Sequence, residues 1–153
     1  MPDFVAGEIV TANKMNQIPK GVLGYAFRTS NITGLTGGPV DLPDLSVQVS
    51  VPAGRVLRVV GYVYYWMGPT EGEEAILSVR EGNDVLNGKR LIAGSPNRAV
   101  GGAVQALIRP SAGPHTYKLA FQQITGASNW NLIALADAPA YILVEDLGAD
   151  PNG

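Results

Sequence analysis

His115 is the only histidine in the chain, and that fact bounds most of the chemistry open to it. A multi-histidine metal site is excluded, and a Ser-His-Asp triad has to use this one imidazole. No Gly-x-Ser-x-Gly elbow stands in the sequence to present a nucleophile. The alternation of His115 with Tyr117 and Leu119 places it in core or edge packing instead. Glycoside cleavage needs two carboxylates held about 5–10 Å apart across a cleft. Asp41 with Asp44, Glu71 with Glu73 and Glu74, and Glu145 with Asp146 are the candidates, but each lies in or beside a turn, where acidic side chains are ordinarily solvated. Neither "DLPDLS" nor "GADPNG" has the oxygen register of a calcium loop. "GLTGGP" lacks the Gly-Lys-Ser/Thr ending of a phosphate loop, and the Gly-Lys of "NGKR" sits in a predicted hairpin. No catalytic residue, metal or cofactor is expected.

Aromatic side chains remain. Tyr62, Tyr64, Tyr65, Trp66 and Trp130 have the flat apolar faces and polar edges that stack on sugars. Four of them fall in one strand, where core or subunit packing is the commoner use. Trp130 follows the turn "TGASN" and is the best placed for a glycan contact.

The elements that position these residues are strands. In "LSVQVSV", Leu45, Val47, Val49 and Val51 face one way and Ser46, Gln48 and Ser50 the other, the period of a half-buried strand. "RVLRVVGYVYYWM" is apolar on both sides: Leu57, Val59, Val63, Tyr65 and Met67 share one face, Val56, Val60, Tyr62, Tyr64 and Trp66 the opposite one. A strand of this kind needs a second cover, and another subunit meeting Tyr62, Tyr64 and Trp66 is the expected one. "AILSVRE", "AVQALIR", "PHTYKLAFQQ", "WNLIALA" and "AYILVEDLG" continue the pattern, and Asn87-Gly88 predicts a type I′ turn between two short extended pieces. Roughly eight to nine strands without intervening helices predict an all-β antiparallel sandwich, with a jelly roll as the best single topology.

One stretch departs from this period. Thr11 is placed to cap a short helix with Ala12, Met15 and Ile18 on one face, Val10 packing on Met15 as a staple, and Pro19 ending it. A helix of about seven residues does not survive alone in water, so Val10, Thr11, Met15 and Ile18 are expected to dock, either on the chain's own sandwich or as an anchor on a larger assembly. The expected division is an attachment helix and extended arm over 1–43, a sandwich over 44–148 and a polar tail over 149–153.

Composition narrows the partners. The chain has 153 residues, enough for one core, with 11 basic and 13 acidic side chains and a net charge of −2. Such a balance makes no field to collect nucleic acid or anionic lipid. Charged residues are 16% of the chain and glycines number 19, against about 25% charged residues in an average domain, which suits a surface meant for contact. The absence of cysteine leaves packing to hold the fold. No run approaches the ~20 apolar residues of a membrane span, and the start lacks the basic and apolar regions of a signal peptide.

The opening "AGEIVTANKMNQ", through Gly7, Glu8, Ile9, Val10, Thr11, Ala12 and Asn16, resembles a start common among tailed-phage structural proteins. The remainder, with "VPAGRVLRVVGYVYY", "SAGPHTYKLAFQQ" and "PAYILVEDLG", is similar to small virion proteins of actinobacterial phages. The likeness covers nearly the whole chain and carries no functional residue with it. It implies a jelly roll like the trimeric heads of tumour-necrosis-factor or complement type, and a minor tail or capsid decoration protein. On this expectation the chain is a homotrimer in the virion, made in the host cytoplasm, contacting other virion proteins and a host-surface glycan. The alternatives are a free carbohydrate-binding sandwich, for which the aromatic strand speaks, and a hydrolase, for which no nucleophile does.

Overall fold

The computed structural model describes residues 19–67, 70–94 and 100–152. Ten strands cross it: β1 Gly21–Arg28, β2 Ile32–Leu35, β3 Val40–Val51, β4 Arg55–Met67 and β5 Glu74–Glu81, followed by β6 Asp84–Ile92, β7 Val100–Ile108, β8 Gly113–Gln123, β9 Trp130–Ile133 and β10 Ala140–Ala149. No helix occurs among the described residues. The expected helix, with Val10, Thr11, Met15 and Ile18, lies outside them.

Two antiparallel sheets stack face to face. In the first, β10 lies between β1 and β4, β7 takes the other side of β4, and β9 pairs with the C-terminal end of β4 and carries β2. The second runs β3-β8-β5-β6. The chain changes sheet on passing from β2 to β3, β3 to β4, β4 to β5, β6 to β7, β7 to β8 and β8 to β9. A β1-β10-β4-β7 layer over a β3-β8-β5-β6 layer, wound in this way, is a jelly-roll sandwich.

Period-2 alternation fills the space between the sheets. Leu45, Val47, Val49 and Val51 of β3 point inward against Leu57, Val59 and Val63 of β4, Tyr117, Leu119 and Phe121 of β8, and Ile142 and Val144 of β10, all of them buried. The sheets approach closely at Gly61, where an added Cβ would stand 2.2 Å from Cδ2 of Leu119. A buried ion pair closes one end: Nη2 of Arg55 lies 2.7 Å from Oδ2 of Asp146, and both side chains are almost wholly enclosed.

Several expectations need correction. Residues 21–43 are not an arm, because β1 is hydrogen-bonded along β10, β2 pairs with β9, and β3 already begins at Val40. Leu23 and Ala26 of β1 pack on the core, so this segment is one layer of the sandwich. The predicted Asn87-Gly88 turn falls inside β6, and the chain reverses at Gly82-Asn83, between the paired Glu81 and Asp84. Gly82 there has φ +57, the positive value required at the first central residue of a type II′ hairpin. The amide of Asn87 donates to the carbonyl of Gln105 on β7 instead. At the C-terminus, Asp150 is tied down, its N–H donating to the Gly54 carbonyl and its carboxylate accepting from Nε of Arg109 at 2.6 Å.

Trp66 is the most consequential correction. Strict alternation along β4 puts it outside with Tyr62 and Tyr64, yet it is fully buried. The register of β4 on β7 slips between Val63 and Trp66, and a bulge of this kind sends the next side chain to the other face. The indole therefore enters the core and stacks on Phe121 at 5.3 Å.

Candidate functional site

Residues that alternate with core residues in β1, β10 and β4 make the outer face of the first sheet, and it is apolar. The register sets its rows. Phe27, Tyr141, Tyr62 and Ala103 lie side by side across β1, β10, β4 and β7, as do Tyr25, Leu143, Val60 and Gln105 in the next row. Tyr25 is 65% exposed, Phe27 55% and Tyr64 41%, while Tyr62, Tyr141, Leu143 and Val60 are half-buried among them. The rings pack on one another: Tyr25 and Phe27 stack at 6.2 Å, Tyr62 and Tyr141 at 5.6 Å, and Tyr64 meets Tyr62 edge-on at 6.0 Å. In the following row the ion pair of Arg58 with Glu145 stands on this face, at 2.6 Å. The apolar residues of these rows form one contiguous patch on the outer sheet face.

Tyr62 and Tyr64 therefore lie where the sequence places them, and Trp66 does not. Trp130 is also displaced from its expected role. It is fully buried, its ring 5.9 Å from that of Phe121, so it offers no surface to a glycan. Tyr25, Phe27, Tyr141 and Leu143 were missed. Their signal is present in "GVLGYAFR" and "AYILVEDLG", which are apolar at both parities just as β4 is.

Five of the candidate carboxylates, Asp41, Asp44, Glu74, Glu145 and Asp146, each meet a basic side chain. Asp41 contacts Lys118 and lies 3.6 Å from Arg80. Asp44 meets Arg28 at 2.5 Å, and Glu74 meets Arg90. Successive strand residues point to opposite faces, so Glu145 stays outside with Arg58 while its neighbour Asp146 turns in to Arg55. Glu73 is buried, and its Oε2 has no hydrogen-bond partner. No group of three or more metal-ligating side chains lies together among the described residues.

His115 stands at the edge of the core with its ring parallel to that of Tyr117, 6.0 Å away. Nδ1 is 2.6 Å from Oε1 of Glu81, and Nε2 is 2.9 Å from the carbonyl of Ser111. Burial opposes its charge. The Glu81 hydrogen bond, the Ser111 carbonyl and the negative charge of Glu81 together outweigh that, and hold the imidazole above its ordinary value. Burial first, and then the charge of Glu81, raise the Tyr117 hydroxyl well beyond the usual phenol range. Both ring nitrogens are engaged, one by Glu81 and the other by the Ser111 carbonyl.

No family model matches the chain, and no curated protein matches it. Among solved structures it is similar to the VP2 subviral particle of infectious bursal disease virus, at 10% identity and a TM-score of 0.46, over 97% of this chain and 42% of that one. It is also similar to the carbohydrate-binding module CBM6cm-2 of Cellvibrio mixtus lichenase 5A in complex with cellotriose, at 17% identity and a TM-score of 0.39, over 81% of this chain and 97% of that one. A third likeness is to the Bacillus thuringiensis delta-endotoxin Cry8Ea1, at 11% identity and a TM-score of 0.41, over 89% of this chain. The chain spans 20% of that toxin's length. At such distances the likenesses carry no functional argument, and the jelly-roll assignment stands on strand order and register.

Proposed function

We propose that the chain is a non-enzymatic structural component of a virion, a jelly-roll module that associates with copies of itself and with other virion proteins. The observation that supports this reading is the aromatic outer face of the first sheet, where Tyr25, Phe27, Tyr62, Tyr64 and Tyr141 stand together. Covering such a face is favourable by roughly 25 cal/mol per Å² of apolar surface, and tyrosines do so at low entropic cost. The phage resemblance of the N-terminal stretch supports attachment to a tail or capsid through residues 1–20.

A glycan-binding module is the second reading, favoured by the same exposed rings. Against it stands their orientation: Tyr25 lies on Phe27 with planes 15° apart, and Tyr62 on Tyr141 with planes 27° apart. Rings paired in this way share part of their faces with each other, and that part is not free to stack on a sugar.

Light scattering on the full chain, compared with Tyr62→Asp, tests the leading reading. Wild type is expected above monomer mass, and the variant at or near monomer. A wild type that stays monomeric at every concentration, while titrating with oligosaccharides, would reverse the order of the two readings.

A further inference from the structure

The outer face of the first sheet is not level. At the β1 edge stand the stacked rings of Tyr25 and Phe27, 65% and 55% exposed. At the β7 edge the outward positions are Gly101, Ala103, Gln105 and Leu107, all exposed; the first two are small, and Leu107 stands beyond them in the row of Arg58. One row descends from Phe27 through Tyr141 and Tyr62 to Ala103. Three strand spacings separate the ends, about 14 Å, so the face is a ridge beside a shelf.

We propose that two copies pack outer face to outer face about a twofold axis parallel to the strands, the Tyr25–Phe27 ridge of each seated on the Gly101–Ala103–Gln105 shelf of the other. This rests on the self-association reading and names its geometry. Rotation about an axis along the strands exchanges the β1 and β7 edges, so ridge meets shelf twice, and the strands of the two copies stay aligned as in ordinary sheet-on-sheet packing. An axis across the strands would set ridge on ridge. Charge permits the match, because Arg58 and Glu145 neutralise each other within one copy and the face meets its own image without like-charge repulsion. Area is the weaker match: at on the order of 150–250 Å² per aromatic side chain, the exposed 65% of Tyr25, 55% of Phe27 and 41% of Tyr64 offer roughly 240–400 Å², and the half-buried Tyr62, Tyr141, Leu143 and Val60 with the β7 positions must supply the rest of the ~800 Å² that each partner gives to a stable interface.

The absence of cysteine makes the test direct. Phe27→Cys and Ala103→Cys copies are treated, separately and as a mixture, with a short thiol-to-thiol cross-linker that spans the about 10 Å between packed sheets, too far for a direct disulfide, while light scattering gives the mass of the wild type. Two copies per particle are expected, with a cross-linked pair in the mixture and none in either variant alone. Phe27→Ala and Ala103→Arg should each raise the dissociation constant about tenfold or more, the effect of losing a central contact. Unchanged emission from the buried indoles of Trp66 and Trp130 checks that each variant is folded. A mass of three copies, a cross-link within Phe27→Cys alone, or an assembly indifferent to both substitutions overturns the twofold packing while self-association stands. A monomeric wild type overturns both.

Discussion

His115 and Glu81 form a contact in which the imidazole has no room for a lone pair. Nδ1 faces the Glu81 carboxylate at 2.6 Å and Nε2 faces the Ser111 carbonyl at 2.9 Å. Both partners accept, so only the doubly protonated ring satisfies both.

A pH dependence follows from the direction of the shift. The folded-state value lies above the ordinary 6.5, so the stabilisation from this group is fully present below 6.5 and is lost as pH rises through the folded value. Denaturant unfolding of wild type should show stability falling through that window, and Glu81→Gln should flatten the dependence. An NMR titration placing His115 at or below 6.5 would contradict the contact.

Trp66 carries a prediction about stability rather than association. Its side chain is enclosed and stacks on Phe121 at 5.3 Å, so Trp66→Ala should cost about 3–5 kcal/mol through the cavity left behind. Thermal and urea unfolding measure that cost. Tyr64→Ala, on the outer face, should lower the stability of the isolated copy by much less.

Gly61 tolerates no side chain without movement in the opposite sheet. An added Cβ would sit 2.2 Å from Cδ2 and 3.1 Å from Cγ of Leu119, which is fully buried. Gly61→Ala is expected to destabilise by about 1–3 kcal/mol through overpacking. Combining it with Leu119→Ala should cost less than the sum of the two single changes, and a double-mutant cycle would show the difference.

Arg55 and Asp146 are coupled in the same testable way. Arg55→Met leaves the Asp146 carboxylate, enclosed and 2.7 Å from the lost guanidinium, without its cation, at a cost of about 3–5 kcal/mol. Replacing both residues, with Asp146→Leu added, should recover most of that loss in urea unfolding. If the double variant is as unstable as the single one, the pair is not the energetic unit at this end of the sandwich.

Alternation was enough to read the sandwich from the chain. Leu45 to Val51 in β3 and Tyr117 to Phe121 in β8 repeat at the strand period, and that local pattern survives folding because each sheet has one buried face. The same parity showed that β4 is apolar on both sides. What it could not carry past Val63 was phase: a bulge sets phase through the partner strands, and it put Trp66 inside. The turn at Gly82 rather than Asn87-Gly88 was decided by pairing as well, since β6 runs on where β5 continues to bond it.

Sequence by itself determined the class of fold, the two-sided greasiness of the central strand and the lack of a nucleophile signal, because each is a property of residue type and short-range period. Tertiary structure alone decided that Phe27, Tyr141 and Tyr62 share one row. These residues come from three strands far apart in the chain, and only the hydrogen-bonded register brings their rings together.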